Sequence, residues 1–342
     1  MTGDPRPGQP CAPREAPAAT SRAGTEVRVE LNAPVRSLKM LELQIAAGAT
    51  EVYMALRPPA GSPVSFDALP ARRDGEPTHV PSPALLGELI ATAHDAGLRV
   101  HFCADAPVVP AAYEQAYLEH VAKGVAAGAD TVVVGSLTAC ALLADSSPAT
   151  TLVAGAAMGV ATCGYATHLR EAYGVRRIVL PHTVTLAEVD AFCQLDGVEI
   201  EVPVQTGSGL DCTRCRLPDL PNVGLGCRAG WTGHYGDAPV EDLAGFLDGA
   251  SDCALCDVHT LIDLGVTALQ IPGRESPNLR QNAKITQLYR RAIKGYRDGT
   301  SMPQVIEAID RVELMWQMGW VPRLCDQQRC RFRDTPQQRA YV

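Results

Sequence analysis

Five cysteines in three clusters carry the densest chemistry in this 342-residue chain: Cys212 and Cys215 in DCTRC, Cys227 in GLGCRAG, and Cys253 and Cys256 in DCALC. A Cys-x-x-Cys pair lets two thiolates from one turn bind the same ion, and thiolates from further along the chain close the site. The spacing suits zinc and an iron–sulfur cluster alike. A competing role for free cysteine is that of a small buried hydrophobe. That role suits Cys103, Cys140, Cys163 and Cys193, which stand singly in apolar surroundings. The five clustered residues lie instead in a Gly-, Pro- and Asp-rich stretch that cannot be strand or helix throughout, and they are expected to hold a metal.

Disulfides are the other use of so many cysteines. Residues 1–26 contain Pro, Ala, Gly and Arg but no apolar run, so they read as a disordered leader rather than a secretory signal, with Cys11 incidental. No stretch reaches the ~18 apolar residues of a membrane span. A cytoplasmic, reducing location is expected, where cysteine clusters are ligands or catalysts more often than bridges. The formal net charge of −8, from 30 basic and 38 acidic residues, provides no global field for a nucleic-acid backbone. RNA is thus the less favoured partner, and the basic run RRAIKGYR at 290–297 reads as the solvated side of a helix.

The elements that must position the cysteines repeat along the chain. An apolar helical stretch, a Gly-containing turn and a short β-branched run recur in IAAGATEVYMA, AHDAGLRVHFC, VAAGADTVVVG, AYGVRRIVLP, LDGVEIEVPV and DLGVTALQIPG. The glycine suits a helix C-cap, and the run after it suits a parallel strand buried on both faces. With VRVELNA and TTLVAGA added, about eight strands alternate with helices, which predicts an α/β fold of (β/α)8 TIM-like barrel type. The first strand is followed by Ala33-Pro34-Val35-Arg36-Ser37, which is not the Gly-rich phosphate loop of an open nucleotide-binding sheet. Residues 27–300 form the barrel in this reading, with the cysteine-rich insertion between strands seven and eight. A C-terminal helical extension occupies 301–342.

Barrels of this type build their sites at the C-terminal ends of the strands. The residues expected there are Asn32, Tyr53, His101, Gly135, His182, Gln205 and Arg274. His101 and His182 are the candidate proton-transfer catalysts, and Asn32, Tyr53, Gln205 and Arg274 the candidate substrate-binding residues. His79, His94, His120 and His168 read as surface or helix histidines. Arg274 precedes a long helix expected to begin at Ser276-Pro277 and end near Gly299, a setting suited to a carboxylate or phosphate. A further helix is expected over 302–320, and Cys325 and Cys330 in the tail are left unassigned.

The segments LNAP, AGATEVYMAL, EIEVPVQTGSGLDC, GLGCRAG, DCALCDVHTLIDLGVTALQIPGR and YRRAI, in this order over roughly 29–299, resemble the peptidase U32 family. The resemblance implies a TIM-like barrel carrying a [4Fe–4S] cluster on four cysteines. Better-understood members are oxygen-independent hydroxylases of RNA pyrimidines or of a quinone-precursor ring, with prephenate as hydroxyl source in some RNA-modifying cases. Others bear the name of collagenase-like proteases. Carried over, the ligands are Cys212, Cys227 and Cys253, with Cys256 as the alternate to Cys253 and Cys215 in the remaining place. The sequence departs from the family pattern at Thr206, at Pro272 and at the GAS of 249–251.

These departures, with the acidic charge, point to an iron–sulfur enzyme that hydroxylates or otherwise redox-modifies a small metabolite. Alternatives are an electron-transfer or scaffolding subunit that pairs with a related U32-like chain as a homo- or hetero-oligomer, an RNA-base hydroxylase, a peptidase, and a zinc-stabilised barrel. The peptidase reading ranks low because no Ser-His-Asp or HExxH pattern is present.

Overall fold

The computed structural model of the chain describes residues 29–58, 66–67, 78–146, 150–181, 183–205, 233–236, 238–240, 252–274, 276, 278–313, 316–326 and 329–332. The leader at 1–26 with Cys11, His182, Thr206, Cys212, Cys215, Cys227 and the GAS at 249–251 lie outside the described residues.

Seven parallel strands follow one another round a closed barrel: β1 (Glu30–Pro34), β2 (Glu51–Met54), β3 (Arg99–Ala104), β4 (Thr131–Val134), β5 (Leu152–Ala154), β6 (Arg177–Val179) and β7 (Glu199–Pro203). A small antiparallel hairpin, β8 (Gly233–Tyr235) and β9 (Ala238–Val240), stands in the next connection, and β10 (Ala268–Gln270) closes the barrel between β7 and β1. The cysteine-rich segment is therefore an insertion between the seventh and eighth barrel strands, as the sequence predicts. Helices alternate with the strands: α1 (Leu38–Ala47), α2 (Pro83–Asp95), α3 (Glu114–Ala126), α4 (Leu137–Ser146), α5 (Cys163–Tyr173), α6 (Leu186–Cys193), α7 (Val258–Leu264) and α8 (Leu279–Arg297).

Each strand splits its residues by parity. In β3, Val100, Phe102 and Ala104 join the large core beneath the helices, whereas Cys103 belongs to a small inner cluster with Tyr53, Ala55, Val133, Val153 and Val179. That split is the two-residue period of a strand with a buried inner and a buried outer face. Side-chain caps start several of the helices, Ser37 accepting from Met40 N at 3.3 Å and Thr185 forming a capping box with Glu188. The six glycines of the repeated turns, Gly48, Gly97, Gly128, Gly174, Gly197 and Gly265, all have positive φ, as the helix-ending role requires.

Cys103, Cys140 and Cys193 are buried and Cys163 is half-buried. His120 is on helix α3 yet lies in the core against the rings of Phe66 and Phe102, where burial pushes its pKa down to about 4.

The C-terminal region departs from the single helix expected over 302–320. Helix α9 (Met302–Val312) stops where Glu313 takes extended dihedrals and turns its carboxylate to Lys284 at 2.6 Å and Arg291 at 2.5 Å on α8. A π-helical turn over Trp316–Cys325 follows, with Pro322 inside it and Trp316 stacked on Trp320. Helix α8 likewise begins at Leu279, one residue past Asn278, whose side chain accepts from Gln281 N at 3.0 Å. Among the described residues no helix is long and apolar enough to cross a membrane.

Candidate active site

His101 and Asn32 do not reach the C-terminal end of the barrel. His101 pairs in register with Thr131, the first residue of β4, and Asn32 with Glu51, the first residue of β2. Both join a buried polar layer low in the barrel. His101 Nε2 lies 3.1 Å from Glu51 Oε2 and its Nδ1 2.7 Å from Thr131 Oγ1, and Asn32 Nδ2 donates to Glu201 Oε1 at 2.8 Å. Arg177 ties the layer together, donating to Glu51 Oε2 at 2.5 Å and to Glu201 Oε2 at 3.1 Å. Burial alone would raise the Glu51 pKa, but hydrogen bonds and charge from His101 and Arg177 outweigh it and hold the carboxyl well below the ordinary range. The expected position of His101 and Asn32 at the C-terminal ends of the strands is corrected accordingly. Their polar groups face the N-terminal layer, and such layers support the fold.

The C-terminal mouth is organised round Arg274, which is only 1% exposed. Its Nη2 donates to Asp67 Oδ1 at 2.9 Å, and its guanidinium lies over the Tyr53 ring at 5.6 Å from the centroid. Nε and Nη1 have no hydrogen-bond partner among the described residues. Burial would lower the pKa of Arg274, but Asp67, Cys103, Asp105 and Tyr53 hold it above the ordinary value, so the group stays charged. Asp67 also meets His79 Nε2 at 3.2 Å, which places that imidazole at the mouth rather than on the outer surface.

The backbone that carries Arg274 is clamped. Arg36, just after β1, donates through Nη1 to the carbonyls of Arg274 and Ser276. Gly273 has φ +123, and a Cβ there would stand 2.5 Å from Asn282 Nδ2, which donates to the Pro272 carbonyl at 3.0 Å. Tyr53 is a wall of this site, its hydroxyl donating to Ile271 O at 3.0 Å. Cys103 lies beneath it with its thiol pushed well up by burial, against the opposing charge of Arg274. Gly135 contributes closeness of packing: a Cβ there would come 2.0 Å from the Asp105 carbonyl.

On the neighbouring rim β7 ends at Pro203, and Gln205 follows with a buried Oε1 that has no partner among the described residues. Ala254 N donates to Val204 O at 3.0 Å, which holds Cys253 against this rim. Its sulfur receives Leu255 N–H at 3.3 Å and lies 3.9 Å from Tyr289 Oη, whose own proton goes to Val204 O at 2.6 Å. The Trp320 indole, whose N–H has no other partner among the described residues, faces the same sulfur. Burial pushes this thiol up to about 12, against those donors. Donors converging on a buried sulfur suit a metal-bound thiolate, because they spread the charge that binding creates. Cys256 lies half-buried in the short turn that leads into α7. Among the described residues no three metal-ligating side chains converge.

Asp67, Arg36 and Arg331 were not among the residues expected at the site. Arg331 is 6% exposed, donates through Nη2 to Pro181 O at 3.4 Å, and leaves Nε and Nη1 unpartnered among the described residues. Arg36 had a signal, since it directly follows the first strand. Asp67 and Arg331 had none, because they reach the mouth from segments without a periodic pattern.

No curated protein matches the chain in sequence. The chain is similar in structure to the U32 peptidase Mk0906, with 15% identity, a TM-score of 0.46, and coverage of 72% of this chain and 93% of that one. It is similar to phosphoribosyl anthranilate isomerase from Thermotoga maritima at 8% identity and TM-score 0.44, covering 78% and 99%. To the YdjI aldolase from Escherichia coli K12 it shows 11% identity and TM-score 0.41, covering 79% and 91%. The model of peptidase family U32 matches residues 36–212 and 227–319, and by that match over most of its length the chain belongs to peptidase family U32.

Proposed function

We propose that this chain is an iron–sulfur enzyme that hydroxylates, or otherwise redox-modifies, a small anionic molecule at the C-terminal mouth without molecular oxygen. The observation that carries the reading is a juxtaposition. Cys253, its sulfur accepting from Leu255 N–H, is held against the end of β7, and Arg274, with Nε and Nη1 unpartnered among the described residues, follows β10, the strand hydrogen-bonded to β7. Membership of the U32 family and the cysteine pattern support the cofactor, with Cys253 as the described ligand and Cys212, Cys215 and Cys227 as the ligands implied by resemblance.

In this reading Arg274 binds a substrate carboxylate or phosphate through Nε and Nη1, while Asp67 holds Nη2 and fixes the plane of the guanidinium. The Tyr53 ring supports the guanidinium from below. His79, paired to Asp67, is the acid or base placed to move a proton at the mouth, and Gln205 orients the substrate through Oε1, which has no partner among the described residues. Exchange of C–H for C–OH with oxygen at the level of water releases two electrons and two protons; a [4Fe–4S] cluster held by these thiolates would supply one-electron transfer, and an external one-electron acceptor would take up both electrons in turn. Prephenate, an anionic hydroxyl carrier, is the first co-substrate to try.

Anaerobic purification with a visible spectrum and iron, sulfide and zinc analysis tests the reading. A brown protein with about four irons and four sulfides per chain is expected. A colourless protein holding about one zinc makes the site structural and ends the redox reading.

A further inference from the structure

We propose that Cys330 is a second thiolate ligand to the metal group held by Cys253, taking the place that the resemblance gives to Cys215. The inference rests on the iron–sulfur reading above and extends it to a residue beyond the end of the family match at 319.

Cys253 and Cys330 face each other across an isolated parallel β-bridge. Cys253 N donates to Arg329 O at 3.0 Å, and Arg331 N donates to Cys253 O at 3.0 Å. This pattern makes Cys253 and Cys330 the paired residues, and paired residues carry their side chains on one face of the ladder. Two thiols are thus set side by side on separate segments, as ligands to a single ion or cluster must be. The tail is held in that position. Asp326 N donates to Val321 O at 2.9 Å and Arg329 N to Leu324 O at 2.8 Å, so the π-helical turn delivers 329–332 to the rim.

An independent observation concerns the charge of the occupant. Arg331, next in sequence, is buried near Asp252 and Tyr289, the latter also bordering the Cys253 sulfur, and two of its guanidinium nitrogens have no partner among the described residues. Asp252 supplies countercharge, and the N–H groups left open among the described residues call for a further acceptor. A thiolate-bound iron–sulfur cluster carries net negative charge and sulfurs that accept hydrogen bonds, so it answers that need. Each thiol releases its proton on binding.

The test uses the full-length chain, reconstituted anaerobically with ferrous iron and sulfide, as wild type, Cys330→Ala, Cys330→Ser and Cys325→Ala. Iron, sulfide, visible absorption and circular-dichroism melting are read for each. Cys330→Ala is expected to lose iron and visible absorption at least about twofold, whereas Cys325→Ala matches wild type. Cys330→Ser preserves the backbone bridge and decides the matter if the alanine variant does not fold: lost iron or a shifted spectrum in a folded serine variant supports the assignment. Wild-type iron, sulfide and spectrum in folded Cys330 variants overturn it while leaving the iron–sulfur reading intact. If wild type holds zinc alone, that reading fails, and the ligand pair stands only if Cys330→Ala lowers bound zinc to the same extent. A wild-type chain that takes up neither metal overturns both.

Discussion

Arg177 and Arg274 are both almost wholly buried, at opposite ends of the barrel, and their partners differ. Arg177 spends every guanidinium nitrogen: Nε on Glu199 at 2.7 Å, Nη1 on Glu51 and Glu201, and Nη2 on Glu51 at 3.0 Å. Arg274 spends one nitrogen on Asp67 and leaves two open among the described residues. Desolvating a guanidinium costs several kcal/mol unless partners replace the lost water. At the N-terminal end the protein supplies those partners itself, as frame. At the C-terminal end, in the proposed function, a bound anion would supply them. Asn32 Oδ1 is the exception in the lower layer, a buried acceptor without a partner among the described residues.

The largest effect that sharpens this contrast is at Arg177. Arg177→Met leaves Glu51 and Glu201 buried beside an apolar chain and is expected to cost about 3–5 kcal/mol in chemical denaturation. A loss below about 1 kcal/mol would mean the lower layer is not held by this cation.

The same layer predicts the acid behaviour. The folded pKa of Glu51 lies below its unfolded value, so its contribution is full above about pH 4.5 and is lost as pH falls toward the depressed value. In Arg177→Met the Arg177 contribution to that depression is gone, and the desolvation of Glu51 favours the protonated form. The gap in melting temperature between wild type and variant should therefore narrow as the pH is lowered from about 6 to 4. A gap that widens in acid contradicts the assignment.

A smaller effect is expected at the clamp that aims Arg274. Gly273→Ala puts a methyl group against the Asn282 amide at a positive φ, and about 1–3 kcal/mol of stability should be lost. Weakened anion binding should accompany the loss; unaltered affinity would show that the 273–276 turn does not position the guanidinium.

The barrel was legible because its strands are short apolar runs after glycines, a pattern set by helix ends and by burial on two faces. Its interior was harder to read. Glu51, Arg177 and Glu201 are charges at inward parity inside those runs, and only the register shows that they meet. His101 looked like a mouth residue because RVHFCA appears to end near Cys103, while the shear of the barrel sets it level with the start of β4. Arg274 was legible as the residue between strand and helix. Asp67, Arg331 and the pairing of Cys253 with Cys330 depend on irregular segments brought together from distant parts of the chain, and no local pattern encodes them. The tail was misread as one helix because Glu313 and Pro322 act through contacts and backbone geometry that apolar periodicity does not record.

The central claim is that the open guanidinium at the C-terminal end, and not the saturated layer below, is where this protein meets its substrate. Calorimetric titration of prephenate and of inorganic phosphate into wild type, Arg274→Lys and His101→Gln tests it most directly. Arg274→Lys keeps a cation for Asp67 but loses the planar fork, so its stability should change by less than about 1 kcal/mol while affinity falls about 10- to 100-fold. His101→Gln should be destabilised by about 1–3 kcal/mol with affinity unchanged. The opposite pattern, with binding lost in His101→Gln and kept in Arg274→Lys, would place the substrate in the lower layer and contradict the account.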